Sequence, residues 1–360
     1  MVADAGETED ALLPYEDIEA WLERCGRSRA GAPSGDEAAE CSSSAGVWLA
    51  EKLEAFAAAN AVPAKSANYK REAADELAPL LELVGSVVED HALLFNTLTC
   101  LKILSRKQQN RRAMGVEGFR KIASCADFVK NVPTLAAECA NVILNFCYEK
   151  RNVGLFVSCG GAGLLAEYLE SEDVRVQANA AGAIQSISFH PEGRAELREA
   201  GEGVCLPKII GLLSSKDAKV RTRSVGALHN LSSDPGTIQT IRREAGLDQL
   251  VNLLRDESQA VAASAAGALQ NVSREVASRK IIRNSEAVML LADLLCCHNV
   301  QCQVCAAGAL MNVLGPEVSP HPHSKHRRAF SKLVSQCLTL GMIYNAILDP
   351  TSSNAGRQVV

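Results

Sequence analysis

Two stretches of the chain carry residues with metal-binding chemistry. Cys296-Cys297-His298 is followed by Cys302 and Cys305, thiols and an imidazole at spacings that resemble a zinc cluster. His321, His323 and His326 crowd the second stretch, Pro316–Arg328, where Pro320 and Pro322 favour an extended loop and no fourth ligand stands nearby. A third set has neither charge nor nucleophile: Asn145, Asn230, Asn271 and Asn312, with Ser186 in the same series. Each asparagine amide is both donor and acceptor. Motifs for covalent or phosphoryl chemistry are missing: no Gly-x-x-x-x-Gly-Lys, no Gly-x-Ser-x-Gly, no His-Glu-x-x-His. Gly160-Gly-Ala-Gly163 follows no strand pattern and reads as an interhelical turn. The expectation is a chain with no catalytic constellation, no cofactor and no metal.

What positions the asparagines is a repeat. Glu138-Cys-Ala-Asn-Val-Ile-Leu-Asn145 aligns with Asn179-Ala-Ala-Gly-Ala-Ile-Gln-Ser186 and Arg223-Ser-Val-Gly-Ala-Leu-His-Asn230. Ser264-Ala-Ala-Gly-Ala-Leu-Gln-Asn271 and Cys305-Ala-Ala-Gly-Ala-Leu-Met-Asn312 continue the series. The fourth positions, Asn141, Gly182, Gly226, Gly267 and Gly308, lie 41, 44, 41 and 41 residues apart. A fainter copy 45 residues earlier puts Asn96 in the glycine position and Cys100 in the asparagine position. About 19 residues beyond the fourth position stands Gly115, Gly160, Gly201 or Gly246, with Ser285 once. An apolar run, a polar turn and a long helical stretch follow. Each repeat therefore predicts three helices, with glycine allowing a left-handed turn after the first. Glycine inside the third helix costs about 1 kcal/mol of helix propensity, so neighbouring third helices must pack closely there. In this register Cys302 falls where Val176, Val220 and Val261 sit, an apolar core position, and Cys305 matches Asn179, Arg223 and Ser264. These thiols read as small hydrophobes rather than zinc ligands.

The Ala-Ala-Gly-Ala-Leu-x-Asn core resembles that of the armadillo-repeat family, close to beta-catenin and the plakophilins. The resemblance covers roughly residues 85–348. It implies an all-α fold, a right-handed α-solenoid of about six repeats whose third helices line a concave groove. Residues 46–84 then read as amino-terminal capping helices, 85–350 as the repeat domain with a His- and Pro-containing insertion at 316–326, and 351–360 as a loose tail, as in a piece of a longer protein. In similar proteins the asparagine ladder hydrogen-bonds the backbone of an extended peptide. The implied groove here comprises Asn145, Ser186, Asn230, Asn271 and Asn312, with Arg223, His229 and Gln270 beside them. Importin-alpha-type armadillo proteins place Trp four residues before the asparagine; this chain has only Trp21 and Trp48, so a receptor of that type is not expected. Glu138, Glu149, Asp234 and Glu275 against Arg223 and Arg274 read as a groove of mixed charge rather than a basic one.

Composition agrees. Of 360 residues 47% are apolar but only 4% aromatic, which favours close-packed helices of Ala, Leu, Val and Ile over a β-sandwich. A net charge of −5 argues against a nucleic-acid binder. Gly154, Gly160, Gly161 and Gly163 interrupt the uncharged run Asn152–Ala166 well short of the roughly 18 apolar residues a membrane helix needs. The start of the chain has no secretory pattern, and 13 scattered cysteines read as reduced thiols. A monomer in the cytoplasm, and also the nucleus, is expected. Residues 1–45 carry eleven acids against Arg24, Arg27 and Arg29, a net −8, and read as mostly disordered. Within them, 15–25 predicts a short helix with Ile18, Trp21 and Leu22 on one face, docking on its own chain or serving as a partner-binding motif. The function expected is capture of an extended protein segment. The alternative is an adaptor for chaperone, cytoskeletal or motor assembly that binds through its convex face or ends.

Overall fold

The computed structural model describes residues 12–29, 36–63, 77–199, 203 and 205–313. The insertion at 316–326 and the tail at 351–360 lie outside the described residues. The chain divides into two compact units, Met1–Cys205 and Leu206–Val360.

The first unit holds α1 (Tyr15–Arg29), α2 (Asp36–Ala59), α3 (Leu77–Ser86), α4 (His91–Leu104), α5 (Gln108–Ala113), α6 (Val116–Phe128), α7 (Pro133–Phe146), α8 (Lys150–Ser158), α9 (Gly161–Tyr168), α10 (Val174–Ser188) and α11 (Pro191–Glu199). The long helices α4, α7 and α10 are third helices, and they pack in succession. Aspartates start two of them: the side chains of Asp90 and Asp173 accept from the backbone N–H of Leu93 and Arg175. Such caps contribute about 1 kcal/mol each. At the far ends, Arg111 and Arg194 donate to the last carbonyls of α4 and α10 and their following turns, Ser105 and Arg106 in one case, Ser188 and Phe189 in the other. These orphan acceptors would otherwise lack partners. Arg106 likewise closes α2 by donating to Asn60 O at 2.7 Å.

α2 packs against α4 as a third helix packs against the next, and Asn96 Nδ2 donates to Ala50 O across that contact. It begins at Asp36, ten residues before the boundary that composition places at 46. Its first residues, Asp-Glu-Ala-Ala-Glu, set acids at a helix start ahead of two alanines, a signal that the Ser- and Gly-rich surroundings outweigh in a compositional average. α1 docks on its own chain, with Ile18 and Trp21 buried and Asp17 paired to Lys52 at 2.6 Å. Phe119, Phe146 and Phe156 form the aromatic centre of the unit, with Phe119 and Phe156 rings 5.9 Å apart.

The second unit holds α13 (Ala218–Leu231), α14 (Pro235–Arg243), α15 (Gly246–Leu253), α16 (Gln259–Val272), α17 (Val276–Asn284), α18 (Ala287–Leu294) and α19 (Val300–Val313), preceded by α12 (Cys205–Gly211) at the division. Its third helices α13, α16 and α19 pack in succession through residues with little or no side chain: Ala227, Ala265, Ala266, Ala268, Ala306 and Ala309 are all fully buried. Asp217 caps α13, and Arg279 donates to Ser273 O and Arg274 O beyond α16.

The glycine after each first helix does not serve one purpose. Gly160 takes φ +77° and Gly203, before α12, φ +85°, as a left-handed turn requires, but before α15 Ala245 takes that conformation at φ +55° and Gly246 follows it. The residue equivalent to Gly246 is thus Gly161. A Cβ on Gly246 would lie 3.0 Å from Ile241, and one on Gly161 would enter the Phe156 ring, so these two glycines admit the preceding helix.

Candidate functional site

The ladder residues share one register. Each lies thirteen residues after the N-cap of its third helix: Val132 to Asn145, Asp173 to Ser186, Asp217 to Asn230, Ser258 to Asn271. Asn312 stands in the same relation to Asn299, whose Oδ1 accepts from Cys302 N at the start of α19. From Asp90 the same count gives Ile103 on α4. The fainter copy is therefore read three residues out of step: Ile103 and Thr99, not Cys100 and Asn96, hold the two key positions. Cys100 and Asn96 turn instead to the backbone of α2.

The asparagine amides reach back one repeat. Asn145 Nδ2 donates to Ser105 Oγ at 2.9 Å and lies 3.5 Å from Lys102 O. Asn271 Nδ2 donates to Ser232 Oγ at 3.0 Å and His229 O at 3.2 Å. Asn312 Nδ2 donates to Ser273 Oγ at 3.1 Å and Gln270 O at 3.0 Å. Each serine hydroxyl in turn donates to the same carbonyl at 2.7 Å, closing a triangle. The Oδ1 atoms of these three asparagines accept no hydrogen bond among the described residues. The serine two residues after the rung is the participant that reading for asparagine misses. It is visible in the sequence as a repeating column: Ser105, Ser188, Ser232 and Ser273.

His229 and Gln270, each one residue before a rung, lie over the glycine of the following third helix. A Cβ on Gly267 would sit 2.5 Å from the His229 ring, and one on Gly308 would collide with the Gln270 amide. Both side chains are half-buried in inter-repeat packing. Burial lowers the His229 pKa, so the ring is neutral at pH 7.

Three of the four acids near the ladder are held in ion pairs. Glu138 pairs with Lys102 at 2.7 Å, Glu149 with Arg111 at 3.2 Å and Arg112 at 3.4 Å, and Glu275 with Arg242 at 3.0 Å. The Arg242 guanidinium holds the Glu275 carboxyl below its ordinary range. In the second unit Lys219 and Arg223 form no ion pair among the described residues, and Arg274 spends its donors on Asn271, Ser232 and Ser233 carbonyls, which leave its charge uncompensated. Sequence position alone treats the acids as ligand-facing because they lie one or two turns from the ladder; the structure turns Glu138, Glu149 and Glu275 toward basic neighbours, while Asp234 accepts from the Thr237 hydroxyl.

Cys302 and Cys305 are buried, Cys302 against Ala262 and Ala263, and desolvation pushes the Cys302 thiol up to about 12. Among the described residues no three His, Cys, Asp or Glu side chains converge as a metal site would need, and no helix is long and apolar enough to cross a membrane.

No protein-family pattern matches this chain, and no curated protein matches it. Solved structures do. A designed armadillo repeat protein in complex with the peptide (KR)4 superposes with a TM-score of 0.58 and 22% identity, over 66% of this chain and 99% of that one. Computationally designed armadillo repeat proteins for modular peptide recognition give 0.57 and 21%, over 65% and 98%. An engineered protein aligns over 90% of this chain and 99% of its own, with a TM-score of 0.53 and 19% identity. The fold is thus an all-α solenoid of the armadillo-repeat type.

Proposed function

We propose that this chain is a non-catalytic scaffold that holds an extended segment of a partner protein along its asparagine ladder. The segment's acidic side chains meet Lys219, Arg223 and Arg274. The observation that carries the reading is the division of labour in each amide: Nδ2 is committed to the preceding repeat, while Oδ1 of Asn145, Asn271 and Asn312 remains an acceptor for a peptide N–H. Each such bond contributes about 1 kcal/mol, roughly fivefold in affinity. The uncompensated cations favour carboxylates over a basic ligand such as (KR)4. The expected compartment is cytoplasmic or nuclear, and the expected state a monomer.

The test is fluorescence anisotropy with labelled twelve-residue peptides of alternating Ser and Glu, against the whole chain. Binding weakens about tenfold or more in Asn271→Ala/Asn312→Ala, weakens in Arg223→Glu, and falls with added salt; circular dichroism checks that the helices persist. Acidic peptides that bind equally well to the wild type and both variants would overturn the ladder reading. They would direct attention to a second surface, a cavity of about 480 Å³ away from the third helices, lined by Arg120, Ser124, Asp127, Cys159 and Glu167. That cavity is what favours the alternative, an adaptor that binds through another face.

A further inference from the structure

α19 is the last third helix among the described residues, yet its outer face keeps the form of an inner one. On α16, Ala263 packs against Cys302 of the next third helix, and Gln270 lies over Gly308. Val304 and Met311 hold those two places on α19. Ala263 is 7% exposed, whereas Val304 is 56% and Met311 68% exposed, with half-buried Ala307 between them. None of the fourteen residues of α19 carries a charge. An uncharged strip in the register that receives a neighbouring helix is left open.

The occupant is not a further rung of the ladder. An asparagine amide on one third helix uses the serine hydroxyl two residues after the preceding rung. The two residue types change together: where Cys147 replaces that serine, the next rung is Ser186 rather than asparagine. After Asn312 the serine position is Leu314, which offers no hydroxyl to another amide. A second copy of the chain fits poorly as well. A helix of fourteen residues presents a face of roughly 20 Å by 10 Å, far below the ~800 Å² per partner of a stable interface.

The chain's own sequence supplies a better match. Residues 333–348 contain no charge. Leu333, Cys337, Leu340, Tyr344 and Ile347 recur at the helical period, and Ser335, Gln336 and Thr339 fall on the opposite side. The connection, residues 314–332, can span up to about 60 Å, against a length of about 21 Å for α19, so the segment can return along the helix. We infer that residues 333–348 lie along α19 as an intramolecular cap, covering Val304, Ala307 and Met311. The apolar stripe meets the open face and the polar side meets water, as the end of a repeat stack requires. Asn312 is then the last rung, and the insertion before the cap is the loop that lets it turn back.

Hydrogen exchange of the whole chain, read by mass spectrometry, tests the cap. In the wild type, amides of 333–348 exchange about a hundredfold slower than in an unstructured chain. Val304→Asp/Met311→Asp speeds their exchange about tenfold or more, because each carboxylate would be buried unpaired beneath the cap. Leu340→Asp/Tyr344→Asp speeds the exchange of 333–348 and of α19 together. Amides of α13 and α16 keep their rates in both variants; if the first variant disturbs α16, the second decides. Exchange of 333–348 at the unstructured rate in the wild type overturns the inference, as does protection that is indifferent to both pairs of substitutions. Protection lost on dilution, as the mass from light scattering falls from two chains to one, assigns the face to a second copy and overturns it too.

Discussion

The register that places His229 over Gly267 predicts a signed double-mutant cycle. Glycine inside α16 costs about 1 kcal/mol of helix propensity relative to alanine. A Cβ on Gly267 would sit 2.5 Å from Cε1 and Nε2 of His229 and 3.0 Å from its Cδ2, so the ring must rotate or α13 and α16 must separate. Overpacking of this kind costs about 1–3 kcal/mol. Gly267→Ala alone therefore destabilises by about 1 kcal/mol, a clash of about 2 offset by the propensity gain. In a His229→Ala background the clash is gone, and the same substitution stabilises by about 1 kcal/mol. The coupling is about 2 kcal/mol, far outside the scatter of independent sites. Urea denaturation of the four proteins, followed by circular dichroism, measures it. Repeat arrays can unfold in stages, so the comparison belongs to the transition that both substitutions move. Gly267→Ala raising stability equally in both backgrounds would refute the packing described.

Three further outcomes follow from the same geometry. His229 has a folded pKa below its ordinary 6.5, so the unfolded chain takes the proton first; stability falls as pH drops below about 6.5, and thermal scans from pH 7 to 5 should show a smaller loss in His229→Gln. Ser224 is fully buried on α13 and its hydroxyl finds no partner among the described residues, so Ser224→Ala should raise stability by about 1 kcal/mol, seen as a higher melting temperature. Ala245 holds φ +55° where glycine rests without strain; Ala245→Gly should stabilise by about 0.5–1 kcal/mol despite the looser unfolded chain, and a lower urea midpoint would contradict the left-handed turn.

The repeat was legible because the small residues and asparagines that let third helices approach recur in plain text. Gly267 and Gly308 do lie against the neighbouring repeat, where a Cβ would meet His229 and Gln270. Where the pattern thins, residue type misleads: Asn96 and Cys100 look like the key positions, but the helix start at Asp90 fixes the register on Thr99 and Ile103. The turn glycines could not be told apart in the sequence, because one residue type serves both a left-handed backbone at Gly160 and a close helix approach at Gly161 and Gly246. The charges around the ladder were the least readable feature. Glu149 and Glu275 lie one turn from it in sequence, yet find Arg111 and Arg242 more than thirty residues away. Partners at that separation are set by the stacking of repeats, which a linear reading does not resolve.

The cross-repeat triangles have a mechanical consequence. In an amide, donation from nitrogen and acceptance at oxygen share one conjugated system, so the Nδ2 bond from Asn271 to Ser232 polarises the Oδ1 on its other side. Pulling two repeats apart lengthens the first bond and weakens the second acceptor; a ligand held at Oδ1 in turn tightens the bond between repeats. On the function proposed above, each asparagine rung would act as a small strain gauge, its grip on a guest tracking the local tension in the stack. Ser186 and Ile103, which have no amide, would be joints whose stretching a bound segment does not sense.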